Sequence, residues 1–121
     1  MKFSVKQEEL YTLLTLQEEK LDSTLSPELK SELINLQSQG SKNLILNLSH
    51  TKYADSSGLS AILTGNRIYT ENGGAFILSE VTPFVDKLLK ISQLNHVLPV
   101  LASDEAAHDL ILANSPEGED E

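Results

Sequence analysis

Apolar residues near the start of the chain alternate with polar ones, at the period of two that is typical of half-buried strands. This alternation holds for residues 3–7, and residues 10–16 predict a second strand because they are rich in leucine and threonine. The two strands are close enough in sequence to form an antiparallel hairpin through the short turn between them. From Ser26 onward the apolar spacing becomes helical. Ser26 and Pro27 are typical of an N-cap and a first helical position, and Gly40 is typical of a helix end.

The middle of the chain carries the strongest strand signal. Residues 44–48 form a nearly continuous apolar run, which predicts a central strand buried on both faces of a sheet. Residues 56–72 follow with apolar side chains at helical spacing, and Gly73 and Gly74 end that helix. Residues 75–78 are a further apolar strand.

The last part of the chain repeats this alternation of helix and strand. Thr82 and Pro83 predict a third helix, as N-cap and first helical residue. Residues 97–101 predict a short strand, and Pro99 favours an edge position because proline has no N–H donor. Ser103 begins a fourth helix with an acidic first turn. In the third helix, the side chains predicted to face the core are Phe84, Val85, Leu88, Leu89 and Ile91.

The elements follow one another in the order ββαβαβαβα. Strands that alternate with helices need crossover connections, which predicts a mostly parallel sheet, and the opening hairpin adds one antiparallel strand. We therefore predict an α/β fold with a mixed, mostly parallel sheet of four to five strands and about four helices. The length of 121 residues suits one domain, which we place at residues 1–114, followed by an acidic disordered tail at 115–121.

Composition narrows the classes of function. The formal net charge of −9 argues against nucleic acid and anionic membrane surfaces as partners, because both attract clustered Lys and Arg. The sequence has no run of about 18 apolar residues that would insert into a membrane, and no apolar leader at its start. Cysteine is absent, which excludes disulfide and zinc–cysteine chemistry. A cytoplasmic protein is the interpretation that fits these observations best.

The sequence lacks the common patterns of catalytic and metal sites. His50, His96 and His108 are scattered without metal-ligand spacing, and no phosphate-cradling loop with its lysine occurs. Ser56 is not flanked by glycines at the two-residue spacing of a nucleophile elbow. We therefore predict a protein that is not an enzyme and that has no cofactor or metal site.

The segment with the most distinctive chemistry is Asp55-Ser56-Ser57-Gly58-Leu59, hereafter the serine turn, which lies between the predicted central strand and the second helix. A helix N-terminus has unpaired N–H groups and the positive end of the helix dipole. Such a place can hold a phosphate or present a serine for modification. Taken alone, Asp-Ser-Ser-Gly is more often a simple helix cap without further function.

Several segments of the chain together resemble the STAS domain family, and within it the stand-alone bacterial anti-sigma factor antagonists. The resemblance covers nearly the whole chain up to about residue 113. The segments that carry it are residues 43–48, 54–63, 72–74 and 81–94, and Leu21-Asp22 with 27–29 before the first helix. Two departures occur. Glu19 and Lys20 stand where family members often have a glycine, and Ser60 stands where many have a second glycine after the serine turn.

The resemblance implies a function in signalling through exchange of partners. In the family the first serine of the turn, here Ser56, is the phosphoacceptor, and the kinase is an ATP-dependent anti-sigma factor of the GHKL type. The unphosphorylated antagonist binds this kinase and frees sigma, phosphorylation releases it, and a phosphatase is a further possible partner. Asp22 and Ser23 are expected near the same sheet end as Ser56, where they either contact the partner or are solvated loop residues. The residues expected to contact the partner are Asp22, Ser23, Asp55, Ser57, Gly58, Leu59, Ser60 and Ile62.

Some individual roles stay open from the sequence. Asp55 either positions the acceptor hydroxyl or only caps the helix. Ser57 is predicted to cap the helix and is the second candidate acceptor after Ser56. Gly58 is predicted to let a partner or the modified serine approach the backbone. Leu59 and Ile62 are either partner contacts or core residues.

Two alternatives keep the fold and change the function. The first is a constitutive STAS subunit of a transport ATPase, for example one for lipids, with the same helix face in a permanent contact. The second is a module that senses a nucleotide or another anion at the helix N-terminus near Ser56. The intact serine turn favours the phosphorylation switch, because a scaffold needs no hydroxyl there.

Overall fold

The computed structural model describes residues 2–114, and the predicted acidic tail at 115–121 lies outside the described residues. The strands are β1 (Phe3–Gln7), β2 (Thr12–Leu16), β3 (Lys20–Leu21), β4 (Leu44–Asn47), β5 (Tyr53–Ala54), β6 (Phe76–Ser79) and β7 (Val100–Leu101). The helices are α1 (Ser26–Ser38), α2 (Ser56–Glu71), α3 (Pro83–Ile91) and α4 (Asp104–Ala113), with a 3₁₀ turn at Leu94–His96.

Five strands form the main sheet, in the order β1-β2-β4-β6-β7. β1 and β2 are antiparallel, and the other neighbouring pairs are parallel. These observations confirm the predicted α/β fold with a mixed, mostly parallel sheet. β4 lies at its centre with all four residues buried, as its apolar sequence predicts. β7 is shorter than the predicted strand at 97–101, and it lies at the sheet edge directly after Pro99.

The helices cover the two faces of the sheet unequally. α1, α2 and α3 pack on one face, over a core built largely of leucines such as Leu14, Leu33 and Leu46. Full burial of one such side chain contributes about 1.5–3 kcal/mol to stability. α4 covers the other face through a smaller cluster that consists of Ile45, Ile77, Ala107 and Ile111. Within residues 2–114, no helix combines the length and the apolar character needed to cross a bilayer.

A second sheet consists of the two short strands β3 and β5, which pair in parallel. Lys20 lies opposite Tyr53, and Leu21 lies opposite Ala54. Neither strand is predictable from the sequence, because two residues are too few to show a period. This small sheet nevertheless positions the serine turn, which follows β5 directly.

The predicted cap of the first helix is wrong. α1 begins at Ser26 itself, so Leu25 occupies the N-cap position and Pro27 is the second helical residue. The Ser26 hydroxyl does not accept from the helix backbone. It donates instead to the carbonyl oxygen of Asp22 at 2.6 Å. The Ser26 side chain, which the local sequence predicts to be a helix cap, is therefore bound to the Asp22 carbonyl oxygen outside the helix.

The caps of α3 and α4 are predicted at the correct positions. Thr82 is the N-cap residue of α3, yet its hydroxyl donates to the carbonyl oxygen of Thr51 at 2.6 Å and not to the helix backbone. Ser103 caps α4 in the predicted manner, since its hydroxyl oxygen accepts from the Ala106 N–H at 3.0 Å.

The predicted inward face of α3 is partly wrong. Val85 and Leu89 are fully buried and Leu88 is half-buried, but Phe84 is 49% exposed and Ile91 is 69% exposed. With 3.6 residues per turn, Phe84 and Ile91 lie on one side of the helix, about 100° from Val85. The apolar residues of α3 therefore span an arc that is wider than the part the core can cover.

Candidate functional site

The two-stranded sheet brings the serine turn and the Asp22 loop together. Asp55 is the N-cap residue of α2, and Ser56 is the first residue of the helix. Because β3 and β5 run parallel with Leu21 opposite Ala54, Asp22 and Asp55 leave the same end of this sheet. The Asp55 N–H also donates to the Leu21 carbonyl oxygen at 3.2 Å. The structure thus confirms that the Asp22 loop adjoins the serine turn.

The Asp55 carboxylate is held by two donors from α2. Its Oδ1 accepts from the Ser57 hydroxyl at 2.6 Å and from the Gly58 N–H at 3.0 Å. The Ser57 hydrogen bond and then that of Gly58 hold the pKa of Asp55 below its ordinary value of 3.8, because they stabilise the ionised form. Asp55 therefore caps α2, and the prediction that Ser57 is the cap is wrong: Ser57 donates to the cap.

Ser57 is also linked to the start of α1. Its Oγ lies 3.1 Å from the Ser26 Oγ, and Ser26 in turn donates to the Asp22 carbonyl oxygen. Each hydroxyl has one proton, and the shorter bonds to Asp55 and Asp22 use both. The 3.1 Å contact is thus a secondary one. Ser26 was not predicted as part of this site, because it lies 31 positions from Ser57 and its local sequence is typical of an ordinary helix cap.

Ser56 differs from its neighbour. It is exposed, while Ser57 is half-buried, and its hydroxyl makes no hydrogen bond within the described part of the chain. The hydroxyl lies in the first turn of α2, where the helix dipole favours negative charge. Of the two adjacent hydroxyls, Ser56 is therefore the one open to a reagent from solution.

The remaining predicted contacts on α2 divide into exposed and buried residues. Ser60 is exposed and Leu59 is half-buried, whereas Gly58 and Ile62 are buried. A Cβ at Gly58 would lie 2.4 Å from the Leu21 carbonyl oxygen. The predicted close approach of a partner to this glycine is therefore wrong, because β3 of the same chain occupies that space. Ile62 is a core residue, the second of the two roles left open by the sequence.

The Asp22 loop is a tight turn at the start of α1. The Asp22 carboxylate accepts from the Thr24 N–H at 3.0 Å, which fixes the backbone between β3 and α1. Asp22 is half-buried and Ser23 is exposed. Together with Ser56 and Ser60, these residues give the candidate site a small, polar surface around the N-terminus of α2.

An aromatic pair borders this surface and was not predicted. The rings of Tyr53 and Phe84 stack with their centroids 5.5 Å apart and an interplanar angle of 26°. Tyr53 comes from β5, two residues before Asp55, and Phe84 comes from the first turn of α3. Phe84 was predicted to face the core and Tyr53 was given no role, because the local sequence around each residue does not indicate an aromatic neighbour.

Known proteins resemble this chain in sequence. A sequence model described as STAS domain matches residues 2–107. A protein of Paenibacillus polymyxa named anti-sigma F factor antagonist is 31% identical to the chain over 65 residues. That match covers 54% of this chain and 56% of the relative, so it spans little more than half of either protein.

Solved structures share the fold. A STAS domain protein of Planctomyces limnophilus, described as an anti-sigma-factor antagonist, has a TM-score of 0.81 at 19% identity, over 90% of this chain and 97% of that one. The anti-sigma factor antagonist SpoIIAA in its unphosphorylated form and SpoIIAA of Bacillus in its phosphorylated form each have a TM-score of 0.69. The unphosphorylated structure is 21% identical to this chain and is matched over 96% of its own length. The phosphorylated structure is 22% identical and is matched over 98% of its own length. Each match covers 90% of this chain.

Proposed function

The chain belongs to the STAS domain family, and on that basis we propose that it is an anti-sigma factor antagonist controlled by phosphorylation of Ser56. Unphosphorylated, it binds an anti-sigma factor kinase of the GHKL type in the cytoplasm and thereby frees sigma. The kinase transfers the γ-phosphoryl group of ATP to the Ser56 oxygen, whose proton passes to a base of the kinase, and ADP leaves. The phosphorylated antagonist dissociates until a phosphatase hydrolyses the phosphoserine with water, which restores the hydroxyl and releases inorganic phosphate. In this scheme the chain is a substrate and a binding partner, not an enzyme.

The observation that carries the proposal is the difference between the two neighbouring serines. The Ser57 hydroxyl is bound to Asp55 at 2.6 Å, whereas the Ser56 hydroxyl is exposed at the first position of α2. Only an accessible hydroxyl can enter a kinase active site without the loss of a hydrogen bond within the antagonist. The relatives named anti-sigma factor antagonist, and the phosphorylated form of SpoIIAA, support the same interpretation.

The fold should tolerate the modification. A phosphoserine carries about −1.5 to −2 charges at neutral pH. At the first position of a helix, negative charge is stabilised by roughly 0.3–1 kcal/mol through the dipole and the unpaired N–H groups. Ser56 is exposed, so the phosphate stays in contact with water and displaces no packed side chain.

Phosphorylation of Ser56 should, in contrast, weaken binding to a partner that covers the serine turn. An uncompensated charge that is removed from water in an interface costs on the order of 3–5 kcal/mol. A loss of about 3 kcal/mol weakens binding by about a hundredfold. The same group that leaves the domain intact is therefore sufficient to dissociate a complex that covers the serine turn.

Two variants of Ser56 test the proposal. Ser56→Ala and Ser56→Asp serve as baits in a pull-down from native lysate, with a mass-spectrometric readout, and the kinase that is recovered is then purified and titrated against each. We expect the kinase to bind Ser56→Ala about a hundredfold more tightly than Ser56→Asp. Ser38→Ala and Ser38→Asp are matched controls, since Ser38 is an exposed serine about 18 Å along α1 from Ser26. The kinase should bind the two Ser38 variants with equal affinity.

Other outcomes would contradict the switch. Equal affinity of the kinase for both Ser56 variants would exclude it. Recovery of the same transporter subunits with both baits would favour the constitutive subunit of a transport ATPase. A nucleotide that raises the melting temperature of the chain alone would favour the sensor.

A further inference from the structure

One side of α3 carries an apolar surface that the core does not cover. Phe84, Leu88 and Ile91 recur at the spacing that places side chains on one side of a helix. Tyr53 extends this row at the N-terminal end of α3, where its ring stacks on Phe84. Tyr53 is 43% exposed, Phe84 49% and Ile91 69%, and Leu88 is half-buried between them. We call these four residues the α3 strip.

The exposed members of the α3 strip are not needed to attach α3 to the domain. Val85 and Leu89 are fully buried and join the helix to the core, and Leu88 packs against that core from the edge of the strip. Phe84 and Ile91 lie on another side of the helix, where Phe84 keeps about half of its surface exposed and Ile91 more than half. Single exposed apolar residues are common on protein surfaces, but a continuous row of them is typical of an interaction site.

The α3 strip is continuous with the serine turn. Tyr53 is in β5, three residues before Ser56, on the short segment that leads into α2. The start of α3 is tied to the residues before β5, because the Thr82 hydroxyl donates to the Thr51 carbonyl oxygen at 2.6 Å. A partner that covers Ser56 can therefore extend onto the α3 strip without a change of conformation.

The charges beside the α3 strip favour a particular kind of partner. Lys87 adjoins the row on α3 and forms no ion pair within residues 2–114, and Lys52 precedes Tyr53 with only a 3.9 Å contact to Glu19. Both lysines are positive charges in a chain with a net charge of −9. A second copy bound about a two-fold axis would bring the same lysines towards each other. A different protein, with an apolar patch flanked by carboxylates, complements this surface.

We propose that the α3 strip is a second contact surface for the kinase that phosphorylates Ser56, and that it receives an apolar patch of that kinase with acidic residues at its rim. The inference rests on the proposed function and extends it. Binding is then divided between the serine turn, where phosphorylation acts, and the α3 strip, which phosphorylation does not alter. The α3 strip would thus select the partner, and Ser56 would control its release.

Substitutions in the α3 strip test this inference with the purified kinase. Phe84→Ser and Ile91→Ser should each weaken binding of the unphosphorylated chain by tenfold or more. Ile34→Ser is the matched control, since Ile34 is 47% exposed on α1, and its affinity should stay within twofold of wild type. At kinase concentrations above the weakened Kd, all three variants should still be phosphorylated on Ser56. Lys87→Glu should also weaken binding, and the loss should shrink as the salt concentration rises.

The outcomes separate the inference from the proposed function. Phosphorylation of Ser56 together with unchanged affinity of Phe84→Ser and Ile91→Ser would overturn the inference alone. If no kinase phosphorylates Ser56, the proposed function fails and the inference fails with it. Sedimentation equilibrium of the chain by itself checks the other occupant: a dimer that Phe84→Ser abolishes would assign the α3 strip to a second copy and overturn the inference. Circular dichroism and melting temperatures identify any variant that fails to fold.

Discussion

At the scale of single residues, one carboxylate distinguishes the two serines of the turn. Asp55 accepts from the Ser57 hydroxyl and from the Gly58 N–H, both at its Oδ1, and it leaves the Ser56 hydroxyl exposed. These bonds serve the fold, because they satisfy donors in the first turn of α2. They also restrict the chemistry of the turn, since the engaged hydroxyl is less available to a kinase than the free one.

The cap should make stability depend on pH in a way that one substitution isolates. The pKa of Asp55 is lowered in the folded chain, so its contribution is complete above the ordinary value of 3.8 and is lost as the pH falls through the lowered pKa. Asp55→Asn keeps an acceptor oxygen but has no charge. We expect wild type to exceed Asp55→Asn in free energy of unfolding at about pH 7, and the difference to shrink as the pH falls below 3.8 and through the lowered pKa of Asp55.

Urea unfolding of the two proteins from about pH 7 down to about pH 2 measures this difference. All other carboxylates are common to both proteins, so their titration cancels in the comparison. A difference that stays constant across the range would show that hydrogen bonding alone, and not the charge of Asp55, stabilises the turn.

At the scale of elements, the position of the serine turn depends on how closely α2 approaches β3. Gly58 lies against Leu21, and a Cβ at this position would be 2.4 Å from the Leu21 carbonyl oxygen and 2.8 Å from its Cγ. Backbone atoms of a paired strand cannot move aside as the end of a flexible side chain can. The absence of a side chain at Gly58 therefore allows the Asp22 loop and Ser56 to lie side by side.

Gly58→Ala tests this contact. We expect it to lower the free energy of unfolding by about 1–3 kcal/mol, because the added methyl group must push α2 away from β3. Ser60→Ala, an exposed position two residues further along the same helix, should change stability by less than about 0.5 kcal/mol. Urea denaturation of both variants gives the comparison. Equal stability of Gly58→Ala and wild type would mean that β3 can move away from α2 at little cost in free energy and would contradict this prediction.

At the scale of the whole molecule, the two faces of the sheet differ in the size of their cores. Within the described residues, the cluster under α1, α2 and α3 contains 19 buried apolar residues, and the cluster under α4 contains four. A polar contact adds to the attachment of α4: the Asp104 carboxylate accepts from Asn47 at 2.9 Å and from Ser79 at 2.5 Å. The serine turn and the α3 strip belong to the side with the larger core.

Amide exchange should reveal this asymmetry. Because α4 buries few apolar side chains, we expect its amides to exchange through a local opening at lower free energy than those of α2. Ile111→Ala should lower protection in α4 more than in α2, with a loss of about 2–5 kcal/mol for a buried isoleucine. Leu112→Ala, at the exposed neighbouring position, is the control. Equal loss of protection in both helices would indicate that the domain opens only as one unit.

Patterns within short segments of the sequence determined most of the fold. The nearly continuous apolar run at residues 44–48 identified the central strand, and Ser103 identified the start of α4. The alternating residues 3–7 and the leucine- and threonine-rich residues 10–16 identified the opening hairpin. Each of these features depends on neighbours within a few positions, so local spacing and capping chemistry are sufficient to predict it. The serine turn at the start of α2 was found in the same way.

Only the tertiary structure decided what surrounds that turn. β3 and β5 contain two residues each, and their paired residues, such as Leu21 and Ala54, are 33 positions apart in the sequence. No local period in the sequence therefore predicts these strands. Whether an apolar residue is covered depends on which element packs over it, and for that reason Phe84 lies on the surface although its spacing suits the core. Local sequence encodes the elements of this chain, whereas contacts between distant segments determine which of their side chains remain exposed.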